Sequence, residues 1–256
     1  MMVDLTTVSA EPNGLRAGSA GNAPLAQRRM RRAYLAIVLA VVAIVGWGFW
    51  PSYFRPLLHG GVNKFWIIHI HATVFIGWLI LVVAQASLVA TGHIDLHRRV
   101  GRVGVAYGIL VACIGSLVSF MAPILHVQAH QMPVERASLV VLYNLTDMLV
   151  FSGFFAAAII YRRSPQRHKR LILSATVGLS SAAVGRVLPG GSLVYMLVWL
   201  SPLFASMAVD LWIKRRLHPV SLISLPIFVL TSFKVEIFSS SPLWPTVGRA
   251  LISPFV

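Results

Sequence analysis

Apolar runs of about 20 residues recur along this 256-residue chain, separated by short polar or basic segments. No other feature constrains the fold as tightly, because a run of that length crosses the roughly 30 Å hydrocarbon core of a bilayer as an α-helix. Seven such runs are read at about 33–50, 65–90, 103–125, 137–161, 171–187, 193–213 and 220–238. The fifth and the last are the weakest, and six spans is the fallback count. Apolar residues make up 57% of the chain and charged residues 11%, too much apolar surface for a soluble domain to hide, so lipid must cover the rest. The expected fold is an all-α polytopic membrane helix bundle. Its transmembrane domain covers 33–238, with a core unit at about 65–190.

The formal net charge of +15 suggests nucleic acid only until the positions are inspected. The basic residues cluster in short segments between apolar runs, which is the orientation signal of a membrane protein rather than a phosphate-reading face. With the amino terminus inside, 16 of the 22 lysines and arginines fall on the inner side. The reading is therefore N-in, C-out, in a bacterial inner membrane, with the lipid bilayer as the partner and no nucleic acid. Residues 1–27, rich in Ala, Gly, Ser, Pro and Asn, read as a disordered cytoplasmic tail. RRMRR then abuts an apolar run that continues into GWGFWPSYF, an aromatic interface belt, so this is expected to be an uncleaved first span. Residues 239–256 read as an outer-face tail.

Ionisable groups inside a membrane are expensive, which makes each a functional hypothesis. Lys64, His71, Trp78 and Gln85 recur every seven residues and share one face of the second span. His69 lies about 200° from His71, so only one of the two can face the pocket, and Gln85 favours His71. In the fourth span Asn144 and Asp147 share a face at i, i+3, with Asp147 expected on the order of 10–13 Å below the outer surface. A lone carboxylate there should be protonated or paired. Arg186, at the outer end of the fifth span, is the expected partner. Together His71, Asn144, Asp147 and Arg186 form a predicted outer-half polar cluster, suited to a proton or small-solute pathway and equally to a structural ion pair. Ser174, Gly178, Ala182 and Arg186 fall every four residues on the fifth span, and Gly104, Gly108 and Gly115 step along the third. Both patterns mark close helix packing.

On the inner side His97 and His168, 71 residues apart, each precede two basic residues and an outward-running helix. Together with His93 they are candidates for metal or haem ligation if their helices are neighbours, since ligation needs two or more histidines at one depth. The structural alternative is a histidine-supplemented basic rim meeting anionic lipid. His126 and His130 suit a surface metal only if their segment is helical. Asp210 and Lys214, at i, i+4, read as an end-of-helix charge arrangement. The single Cys113 reads as a packing residue. The chain carries no G-x-S-x-G, H-E-x-x-H, P-loop or dinucleotide fingerprint, so sequence gives no sign of an enzyme.

Residues 71–189 resemble a family of predicted bacterial membrane proteins of unknown function. The resemblance is carried by the histidine opening a span, LHRRVGRVG at 96–104 and HKRLILSATVGLSSAAVGR at 168–186. It implies that His71, His97, His168 and Arg186 are positions to test. A looser similarity to four-helix di-haem b-type cytochromes implies haem b at the His97/His168 level, Asn144 and Asp147 standing where an axial histidine would be expected in the fourth span. Three functions follow as expectations: translocation of a proton or small solute, a redox protein binding b-type haem or quinone, or an accessory subunit with a membrane-protein partner or a second copy.

Overall fold

The computed structural model describes residues 17–61, 64–239, 241 and 243–256, and contains no strand among them. Helix α1 (Ala17–Phe49) buries Met30, Tyr34, Ile37, Val38 and Val41, a stripe at helical spacing. It ends in a π-helical turn at Trp50–Phe54, where Pro51 supplies no amide hydrogen to the helical ladder. The short α2 (Arg55–Leu58) follows, then α3 (Trp66–Thr91), α4 (Ile94–Gln128), α5 (Val134–Ile160), α6 (Pro165–Val184), α7 (Leu193–Lys214), α8 (Pro219–Ser239) and α9 (Trp244–Ile252). Gly92 closes α3 in the left-handed region at φ +90°, where a side chain would be strained. Pro165 opens α6 at a position whose N–H needs no partner. Ser192 caps α7 by accepting from the Tyr195 amide at 3.1 Å.

Five stretches are long and apolar enough to cross a membrane: Leu25–Leu58, Trp66–Thr91, Ile94–Gln128, Val134–Ile160 and Leu193–Lys214. Of the helices not among them, α6 stands at the centre. It packs on α1, α5, α7 and α8, and twelve of its 20 residues are buried. A helix wrapped by other helices does not meet lipid, so it can carry serines, threonine and arginine where its neighbours need leucine. The surrounding helices turn the opposite way, exposing Ile109, Leu149, Ile160 and Leu230. Small residues set the closest approaches. A Cβ on Gly48 would collide with the Ala183 backbone, so α1 meets α6 backbone-close, and one on Gly108 would collide with the Phe155 ring, which lies against the α4 backbone.

Several expected boundaries move. The basic segment around LHRRVGRVG is not a loop: only Gly92 and His93 separate α3 from α4, and the arginines occupy the first turns of α4. Arginine is a good helix former, and Asp95 in that turn complements the positive helix end. HKR at 168–170 likewise lies inside α6. Of the expected tail at 1–27, residues 1–16 lie outside the described residues, and from Ala17 the backbone is helical. The expected tail at 239–256 contains α9, which packs on α5 with Ile252 fully buried. Cys113 is exposed rather than packed.

Candidate functional site

The polar groups of the interior form two clusters on α6, labelled inner and outer after the expected orientation with the amino terminus inside. The inner cluster is built around Arg170 and Asp210, both buried almost completely. The guanidinium grips the carboxylate with two nitrogens, its Nε donating at 2.9 Å and its Nη2 closing the second contact. Its remaining nitrogen, Nη1, donates to the Gln166 carbonyl at 2.6 Å and to Gln166 Oε1 at 3.1 Å, and that amide oxygen also accepts from Lys214 at 2.8 Å. Tyr34 of α1 lies under Lys169 and shares a 2.7 Å hydrogen bond with Ser206. One turn further along α6, Ser174 donates to Ser224 of α8 at 3.0 Å. Beside the cluster, in the short segment before α8, His218 Nδ1 accepts from the Val220 amide at 3.2 Å. Burial and the cation of Arg170 push the His218 imidazole down to about 4.

The outer cluster centres on Asp147, the middle residue of the 27-residue α5 and about 20 Å of helix rise from its Ile160 end. Ser181 of α6 donates to its Oδ2 at 2.5 Å, and Tyr195 of α7 lies within reach of it. Asn144 lies one turn before it on α5, half-buried. His71 stacks on Phe75 with ring centres 4.0 Å apart. Its Nδ1 is buried with no hydrogen-bond partner among the described residues, and it lies within reach of the Arg186 charge. His69 points elsewhere, to the Tyr53 hydroxyl at 3.0 Å, so His71 is the inward histidine of the two. Arg186, the expected partner of Asp147, is seen against α1 and its own helix. It lies over the Phe49 ring at 4.6 Å, and its Nη1 donates to the Ala182 carbonyl at 3.4 Å, because the turn after Val184 carries it towards α1.

Between Ser174 and Ser181 aromatic rings pack around α6. Trp199 donates to the Val177 carbonyl at 2.8 Å and meets Phe228 edge-on at 5.3 Å. Phe228 stacks on Phe154 at 5.4 Å, and Trp78 packs edge-on against Phe151 and Phe155 at 5.3 and 5.6 Å. Seven residues of α6, about 10 Å of rise, separate the two clusters.

A third feature lies on the opposite face of the α6 amino terminus. The rings of His97 and His168 have centres 6.5 Å apart and planes at 78°. His168 Nδ1 meets the Ala158 carbonyl at 2.8 Å. Gln85 belongs here and not to the outer cluster. With its amide nitrogen turned to His97, it bridges that imidazole and the Gly101 amide, which it accepts at 3.0 Å. The seven-residue spacing placed Gln85 on the His71 face correctly, but 14 residues along, about 21 Å away. His93 does not join the pair, since its Nδ1 is bonded to Thr91 at 2.9 Å and the ring is exposed. Nor do His126 and His130 form a site: α4 ends at Gln128, and His126 is tied to the Ala122 carbonyl at 2.7 Å. Among the described residues no three His, Cys, Asp or Glu side chains converge as a metal site.

The Arg170–Asp210 pair escaped the sequence reading, which placed Asp210 with Lys214. A signal was present, since the stripe of Ser174, Gly178 and Ala182 extends back by one turn to Arg170, aiming that arginine at the interior. The fold and its buried charges define a multi-pass helical membrane protein. Compared with known proteins, the chain matches no protein-family model, no curated protein and no solved structure.

Proposed function

We propose that this is a seven-span inner-membrane protein, amino terminus inside, that passes protons across the bilayer between its two polar clusters. In this reading α6 and α8 are the fifth and seventh spans, and the basic residues at the amino ends of α4 and α6 lie on the cytoplasmic side. The observation that carries the proposal is the division of α6. One helix, sealed from lipid, bears a buried polar cluster on either side of an aromatic septum about 10 Å deep. Buried polar groups cost free energy unless bonded, and such groups arranged along a shielded helix mark ion or proton pathways. Asp147 is the carboxylate that takes up and releases the proton, Ser181 holds its oxygen, and His71 and Arg186 form the outer mouth. The septum around Trp199 and Phe228 must rearrange for passage, which makes the protein gated rather than an open pore.

The test is proton flux into liposomes containing the purified protein, driven by a potassium diffusion potential and read with an entrapped pH dye. Wild type should acidify the lumen. Asp147→Asn, which preserves an oxygen for Ser181, should abolish the flux while leaving the melting profile in place. Undiminished flux in that variant, or none in wild type under either polarity, would remove the proposal.

A further inference from the structure

At the end of the bundle where α1 begins and α7 stops, these two helices part and leave a cavity that neither polar cluster uses. They touch where Tyr34 shares its 2.7 Å hydrogen bond with Ser206. Five residues earlier on α1 and six later on α7, about 8–9 Å of helix rise, the cavity opens. It measures about 350 Å³ and is lined by Leu25, Ala26, Arg29, Trp212 and Ile213, a size that suits a small polar ligand. We propose that it binds the headgroup of one anionic phospholipid, with Arg29 taking the phosphate and Trp212 packing on the glycerol backbone.

Charge selects the ligand. Arg29 is exposed and carries no hydrogen bond or ion pair among the described residues. A guanidinium in that state offers a phosphate two parallel donors. The described carboxylates at this end are already engaged, Asp95 with Arg98 at 3.5 Å and Asp210 with Arg170. Arg28 and Arg32 stand close to Arg29 in sequence, and Arg215 and Arg216 lie just past the end of α7. The carbonyl end of α7 would by itself repel a phosphate, and those two arginines with Lys214 reverse its sign. A zwitterionic headgroup would bring an ammonium into this surplus of cations, so the surplus selects a lipid of net negative charge. Basic pockets between membrane helices seat acidic headgroups elsewhere for the same reason. Free phosphate would leave the apolar half of the lining unused. Leu25 and Trp212 are 55% and 63% exposed, and tryptophan rings settle at headgroup level. Deeper along the same two helices Leu39 and Phe204 are exposed as well, leaving apolar surface for acyl chains. The site needs only that the bundle sits in a bilayer and does not depend on proton passage.

The experiment counts lipids. Delipidated full-length protein in a nonionic detergent is titrated with phosphatidylglycerol, and bound lipid is counted by native mass spectrometry. One phosphatidylglycerol per chain should stay bound at concentrations where phosphatidylcholine does not. Arg29→Gln should weaken that binding about tenfold or more, through the loss of a charge-assisted contact. Arg99→Gln removes the same charge from an exposed position on α4 and should weaken it less than about twofold, because distant surface charges are screened. Since Arg29→Gln can fail to fold, Arg29→Lys serves as the second arm. It keeps the charge and loses the planar fork, so binding should fall part of the way while the melting profile holds. Phosphatidylcholine bound as tightly as phosphatidylglycerol, or no lipid retained by wild type, would overturn the assignment. So would equal losses in Arg29→Gln and Arg99→Gln, which would mean diffuse attraction, or displacement of the lipid by equimolar inorganic phosphate, which would mean a site for the free anion. Asp147→Asn should hold the lipid normally, so loss of flux and loss of lipid report on different sites.

Discussion

The two polar clusters of α6 solve the same physical problem in opposite ways. In the inner one, charge meets charge: Arg170 and Asp210 are bidentate, the third guanidinium nitrogen is occupied by Gln166, and Lys214 completes the network. In the outer one, Asp147 is held by a hydroxyl while the nearby cation, Arg186, rests on an aromatic ring. A fully satisfied buried network resists change, because displacing any member strands another in low dielectric. A carboxylate hydrogen-bonded to a hydroxyl can take up a proton and keep that partner, because a hydroxyl can accept as well as donate. The inner cluster is accordingly read as a lock and the outer one as the working group.

The sharpest way to break that contrast is to remove the lock. Asp210→Ala leaves Arg170 buried without its counter-charge and should cost about 3–5 kcal/mol. The readout is the folded, monodisperse fraction after mild heating in detergent. The double variant Arg170→Met with Asp210→Leu should recover most of the loss, since a packed apolar pair can replace a buried ion pair. Asp210→Ala as heat-stable as wild type would show that the pair does not lock the bundle.

Next in size is the septum. Phe228 is fully buried against Phe154 and Trp199, and Phe228→Ala should cost about 3 kcal/mol through the cavity it leaves. The same change should raise basal proton flux in liposomes, because it opens the barrier between the clusters. Stability lost with flux unchanged would place the barrier elsewhere. A smaller effect separates charge from hydroxyl bonding within the inner cluster. Ser174→Ala removes one hydrogen bond, yet Ser224 retains the Val220 carbonyl at 2.8 Å. The cost should therefore be about 1 kcal/mol in the melting transition, well below that of Asp210→Ala.

What the sequence made legible was set by what hydropathy measures. Exposure to lipid demands apolar residues, so the long peripheral helices were found by their apolar stretches, although α1 and α4 begin at Ala17 and Ile94, well before the runs read at 33 and 103. One of the two weakest of the seven runs, at 171–187, proved the most buried helix, because burial by other helices makes no such demand. Helical period gave the face of Gln85 but not its company, since a shared face extends over the whole bilayer and depth decides which residues meet. The small-residue stripe marked the α6 interior at Ser174 and Gly178, but the sequence reading did not carry it one turn back to Arg170, and at its other end Arg186 lies past the end of the helix and is exposed. Which carboxylate each would find depended on the neighbours of α6, and these are fixed by tertiary packing rather than by any local pattern. The matching places of His97 and His168 were visible as a repeat, but their approach to 6.5 Å required α5 to seat both flanking helices.

The smallest effect tests whether the inner charges extend their influence beyond the bundle. His218 stands in the segment between α7 and α8, and its Nδ1 accepts the Val220 amide. Burial, then the Arg170 cation, lowers its imidazole from an ordinary 6.5 to about 4. A depressed value means that the unfolded chain takes up the proton first. Stability should therefore be complete above about pH 6.5 and decline as pH falls through the interval down to about 4. The residue is partly open to solvent, so the slope should be shallow. His218→Asn keeps an acceptor for the Val220 amide and removes the titration, so its melting temperature should change less than that of wild type between pH 7 and 4.5. The declines are to be compared at high and low salt, because the acting charges include Lys214 and Arg167 as well as Arg170 and Asp210. A slope in the variant equal to that of wild type would assign the acid sensitivity to another group and leave the lock electrostatically silent at its rim.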